Sequence, residues 1–167
     1  MKLTKPERWI LANQYRILEL LDPKAADDHR QTRTVLENGY ELEYAWVSEY
    51  IVPDFPEEQC SEVHDILDMH EVLQRTYAQL EHKSGIDEGQ LRFHGFDGNR
   101  ETGHMAYARH LVKDEGKFTS LENQGFDGFN SHMPTLDGYR SMVAAWKNSP
   151  KQYQLTKEDV IRITSAR

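Results

Sequence analysis

The feature that most restricts the fold is a stretch of 26 residues, 57–82, without a single Gly or Pro. Val63, Ile66, Leu67, Leu73, Tyr77 and Leu80 recur along it at the spacing that gathers side chains on one face of an α-helix. Pro53 and Pro56 enclose a turn just before it, and proline suits the entry to a helix. The pattern predicts a helix from Glu57 to about His82 that serves as the spine of the fold. His70 and Gln74 lie along the middle of its apolar face, so polar groups are carried into whatever packs there.

The rest of the chain supplies helical partners. Thr4, Pro6 and Glu7 have the spacing of a capping box and predict a first helix reaching about Leu21. At about 100° per residue, Trp9, Ile10, Leu11, Tyr15, Ile17, Leu18, Leu20 and Leu21 cover most of its circumference, which predicts a helix enclosed by neighbours. Asn13 and Gln14 fall inside this apolar arc. A buried amide without a partner costs about 1–3 kcal/mol, so both require partners, either within the core or as a symmetric amide contact across a homodimer. Trp9, Asn13 and Gln14 are therefore the interface candidates.

Asp22-Pro23 ends this helix, and others are expected at about Ala25–Asn38, with Gly39 as a left-handed cap, and at Tyr40–Ile51, Asn99–Glu115 and Pro134–Asn148. In the last one, Thr156 and Asp159 have capping-box spacing, and Leu155 is placed to staple onto Val160. The sum is an all-α, multihelical orthogonal or bundle-like domain of about seven helices without significant sheet, spanning 1–167. Its sub-regions are a helical part over 1–83, a Gly- and Phe-rich loop-helix part over 84–150 and a C-terminal helix over 156–165.

Charge narrows the partners. Residues 1–84 carry 9 Lys+Arg against 17 Asp+Glu, whereas 85–167 carry 11 of each, so the net charge of -8 belongs to the first half. Between Thr34 and Gln74 there is no Lys or Arg, and eleven acids run from Glu37 to Glu71. Such a field repels phosphate backbones and argues against direct nucleic-acid binding. It leaves solvated helix faces or a docking patch for a basic protein. No uninterrupted apolar run exceeds five residues, so neither a membrane span nor a secretory core is predicted. The lone Cys60 excludes an intramolecular disulfide and a Cys-based zinc cluster, which fits a reducing, cytoplasmic setting.

Nine of the ten glycines and five of the six phenylalanines lie between Ser84 and Gly138, a composition of irregular but anchored loops where binding residues concentrate. Gly-Phe-Asp-Gly occurs there twice, at Gly95–Gly98 and Gly125–Gly128, each ahead of a helical pattern. Phe96, Asp97, Phe126 and Asp127 are candidate ligand-binding residues for that reason, beside His70, Gln74 and His104.

Catalytic templates are incomplete. His64-Asp65 resembles the metal-holding pair of HD phosphohydrolases, which also need a distant His and Asp such as His29 with Asp127 or Asp137. A metal-dependent hydrolase around His64-Asp65 is the enzyme alternative. Glu101 and His104 form one Glu-x-x-His pair, but the di-iron arrangement requires a second pair, and none is present. Asp97-Gly98-Asn99 has Thr102 where a calcium loop needs glycine, and Gly116-Lys117 lacks the upstream glycine of a P-loop. No catalytic residue, metal ligand or cofactor is assigned.

Glu7 to Leu18 together with Leu21-Asp22-Pro23 closely resembles the start of the YfbU family of bacterial proteins. Phe93 to Asp97, Gly125-Phe126 and Pro150 to Leu155 are similar too, so the resemblance runs through the whole chain. It brings no activity and no catalytic residues to transfer. Relatives with a similar domain fused to a helix-turn-helix module imply ligand sensing. The expectation is a non-enzymatic binding or regulatory domain, a homodimer recognising a small ligand or a protein, with an acidic protein-interaction module as a further alternative.

Overall fold

The computed structural model describes residues 2–122, 124 and 127–167, which form eight α-helices. The chain divides into two compact units, Met1–Asp54 and Phe55–Arg167. The division falls well before the change of composition after Lys83, because the long central helix packs with the Gly- and Phe-rich segment that follows it.

In the first unit, α1 (Lys5–Leu21) begins on the expected capping box. Glu7 Oε2 accepts from Thr4 N at 2.7 Å, and Thr4 Oγ1 accepts from Glu7 N at 3.4 Å. α2 (Ala26–Asn38) folds back along α1 and ends at Gly39, which adopts φ 73°. The left-handed cap is what calls for glycine there, and Arg8 closes over it, its guanidinium donating to Leu36 O at 3.1 Å. Arg33, gripped by Glu19 and Glu37, is the second clasp of the hairpin.

The helix expected over Tyr40–Ile51 is reduced to a 3-10 turn at Glu41–Glu43 and one α-helical turn, α3 (Tyr44–Val47). A short helix draws its stability from packing, and only Tyr44 of this segment is buried.

In the second unit, α4 (Glu57–Gln79) is the predicted spine, with Val63, Ile66, Leu67, Met69, His70, Val72 and Leu73 buried. Around it lie the single turn α5 (Glu88–Leu91), α6 (Thr102–Arg109) continued by a π turn at His110–Asp114, α7 (Leu136–Lys147) and α8 (Lys157–Thr164). α8 carries the predicted capping box of Thr156 and Asp159, and Leu155 and Val160 are both buried.

α6 starts three residues later than expected because the Asp97 carboxylate accepts from Asn99 N at 2.9 Å and holds a turn in front of it. Among the described residues the only β-type pairing is one parallel bridge, Phe96 with Asn130. No helix of the described residues is long and apolar enough to cross a membrane.

Candidate functional site

His70 is fully buried on α4. Its Nδ1 lies 2.9 Å from Leu91 O, and a carbonyl only accepts, so Nδ1 carries the proton and Nε2 is a bare acceptor. That Nε2 is buried without a hydrogen-bond partner. Phe93 and the edge of Tyr139 box the ring at centroid distances of 5.6 and 5.1 Å. Burial drives the imidazole pKa down to about 4, because the charged form cannot be solvated there.

One turn later Gln74 also donates to Leu91 O, at 3.1 Å, and pairs amide to amide with Gln124, whose Nε2 lies 2.6 Å from Gln74 Oε1. A cavity of about 400 Å³ opens beside this pair, bordered by Gln74, Tyr77, Glu88, Leu91, Arg92 and Gln124. Sequence reading thus placed His70 and Gln74 correctly side by side, and both converge on one backbone carbonyl.

His104 belongs to a different centre. Its Nε2 meets Glu62 Oε2 at 2.9 Å, and the same carboxylate receives Arg140 Nε at 2.7 Å. Arg140, then His104, holds the Glu62 carboxyl below its usual range. Glu101 faces elsewhere: its carboxylate accepts from Asp97 N at 2.8 Å, Thr135 N at 3.0 Å and Leu136 N at 2.9 Å. The Glu-x-x-His spacing therefore does not bring the two side chains onto one ligand.

His64 and Asp65 diverge in the same way, His64 Nε2 to Tyr107 Oη at 3.3 Å and Asp65 to Lys147. Among the described residues no three His, Cys, Asp or Glu side chains stand together in a way that would hold a metal ion.

Phe96 and Asp97 are buried in the bridge between loops, where Phe96 N donates to Phe129 O and Ser131 N donates to Phe96 O, each at 2.9 Å. Their contacts hold the loops together. Phe126 lies outside the described residues, as does the side chain of Asp127.

The first unit presents a surface of another kind. Trp9, Asn13 and Gln14 are exposed, and α1 buries only Ala12. The expectation of an enclosed first helix is corrected here: α2 covers only the side of α1 that carries Arg8, Ala12, Tyr15 and Glu19, and the opposite side meets solvent. Asn13 and Gln14 are accordingly not core amides.

A model of the YfbU domain matches residues 1–166. The chain belongs to the YfbU family. In this YfbU domain Tyr40, Leu42, Trp46, Tyr50, Ile51 and Val52 are exposed as well. Sequence reading missed this exposure by assigning the segment to a regular helix. The available signal was the density of aromatic and β-branched residues in a stretch with no basic side chain. Also missed was Glu62, which no motif marks; it becomes visible only when α4, α6 and α7 assemble around it.

Proposed function

We propose that this YfbU domain is a non-catalytic binding domain that acts as a homodimer, with the apolar face of its first unit as the working surface. One observation carries the reading. Among the described residues, of the fourteen large hydrophobic side chains that stand exposed, twelve belong to residues 9–52, whereas that unit buries only Ala12, Leu36 and Tyr44. A helical unit with more large apolar side chains outside than inside is stable in water only when that surface is covered.

The polar groups of the second unit support the same reading by being engaged internally. Glu62 holds His104 and Arg140, Asp65 holds Lys147, Glu71 accepts from Ser120, and Glu101 binds backbone amides. This leaves fewer free charges in the acidic stretch for a basic partner. Static light scattering at micromolar concentration is the test. Twice the monomer mass is expected, and a monomer throughout that range removes the dimer.

A further inference from the structure

We infer that the occupant of the α1 face is the α1 helix of a second copy, lying parallel to it, with Asn13 meeting its own counterpart. The inference rests on the binding role proposed above for that face. Positions 10, 13, 17 and 20 alternate by three and four residues, the spacing of a coiled-coil seam, and they hold Ile10, Asn13, Ile17 and Leu20. Trp9, Gln14 and Leu21 flank them, so about 140° of the helix is apolar or amide and carries no charge. The seven side chains are all exposed, Trp9 at 71% and Leu20 at 78%.

The seven residues of this face carry no charge, and the neighbouring Arg8, Arg16 and Glu19 are engaged within the hairpin: Arg8 binds Leu36 O, Arg16 binds Glu37 and Glu19 binds Arg33. The face itself offers a charged partner nothing to pair with, whereas an identical uncharged face is complementary to itself by a two-fold axis.

The direction follows from the residues. A parallel pair sets each seam residue opposite itself, so the Asn13 amide donates to and accepts from the partner's Asn13. Ile10 and Ile17 at the first seam position with Leu20 at the second are the combination that favours two parallel strands, and Asn13, which shares the second position with Leu20, meets its own counterpart only in the register that sets position 13 opposite position 13. An antiparallel pair would set Asn13 against the partner's Ile17 and leave an amide facing hydrocarbon.

One variant of the full chain tests this: Asn13→Cys with Cys60→Ser, oxidised and run without reductant. A covalent dimer is expected, and Asp28→Cys in the same background, exposed on α2, is expected to stay monomeric on the gel. A light-scattering dimer that fails to cross-link through position 13 overturns the parallel seam but leaves the dimer. A monomer whose introduced thiol reacts with a bulky maleimide at the rate of a free thiol overturns the second copy as occupant while the face remains open to another protein. A monomer in which that thiol is shielded overturns the binding role of the face itself. Ile17→Arg, at an exposed position, provides an independent reading: it is expected to weaken dimerisation at least about tenfold with the helical circular dichroism unchanged, and unchanged association counts against the seam.

Discussion

Glu101 caps helix α7 from a distance of 35 residues in sequence, its Oε1 accepting from Leu136 N at 2.9 Å. Thr135, the residue at the cap position itself, offers no side-chain bond to its own helix, and its hydroxyl donates to Gly95 O at 2.8 Å instead. The negative charge of Glu101 thus sits at the positive end of α7, while its second oxygen holds Asp97 N. One buried carboxylate fixes the loop after Phe96 to the start of a helix in the core.

Removing it leaves several amide donors short of an acceptor where little water reaches. Hydrogen bonds to charged groups contribute about 1.5–3 kcal/mol, and unsatisfied buried donors add their desolvation. Glu101→Ala is expected to lower unfolding free energy by about 3 kcal/mol, with Glu101→Gln intermediate. Urea denaturation measures both, and a loss below about 1 kcal/mol for the alanine variant would refute the cap.

The close approach of Gly95 to Phe129 gives a matched pair of substitutions. A Cβ at Gly95 would lie 2.0 Å from Phe129 O, whereas at Gly85 nothing lies within 4 Å, and both residues have φ near 85°, at 87° and 83°. The left-handed backbone costs an L residue about 1–2 kcal/mol in either place. Gly85→Ala is therefore expected to lose only that amount, and Gly95→Ala clearly more, with Phe96 and Phe129 displaced from the core. Equal losses in thermal or urea melts would show that the loops do not touch as described.

How much of this was legible in sequence depends on how local the cause was. Thr4 with Glu7, Thr156 with Asp159, Gly39 as a left-handed cap and the α4 face around His70 all follow from residues within a few positions of one another, and each was readable. Glu101 was readable only as half of a Glu-x-x-His pair, because the amides it binds come from a segment more than thirty residues on. The α1 face failed for a different reason. Periodicity shows that Trp9, Ile17 and Leu20 are apolar, but it does not say whether their cover comes from the same chain, and enclosure was assumed. Asn13 within that arc was the clue that the face is not core: an unpaired amide is costly among buried hydrocarbon, and in the structure it stands exposed.

The Glu62 centre yields a charge-coupling test. Arg140 grips the carboxylate through two nitrogens at 2.7 and 3.1 Å but is half exposed, while His104 is buried behind it. A double-mutant cycle on Glu62→Gln and Arg140→Met is expected to give a coupling of about 0.5–1 kcal/mol that shrinks in 0.5 M salt. The corresponding cycle with His104→Phe, whose side chain is far less exposed than that of Arg140, is expected to respond less to salt. A salt-independent Arg140 coupling would contradict the exposure described for it.

His70 predicts how the fold responds to acid. Its folded pKa of about 4 lies below the ordinary 6.5 because burial penalises the cation, so between those values the unfolded chain binds the proton more readily than the folded one. Stability from this group is complete above pH 6.5 and declines as pH falls toward 4, by about 3 kcal/mol in all, at roughly 1.4 kcal/mol for each tenfold in the equilibrium. His70→Gln keeps a donor for Leu91 O and cannot titrate, so it abolishes this share of the pH dependence whatever its effect at neutral pH. Urea midpoints at pH 7.5 and 4.5 for both proteins isolate the contribution, since carboxylates common to the two cancel in the difference. If the variant loses as much stability as the parent over that interval, His70 is already protonated in the fold, and the bare Nε2 between Phe93 and Tyr139 is wrong.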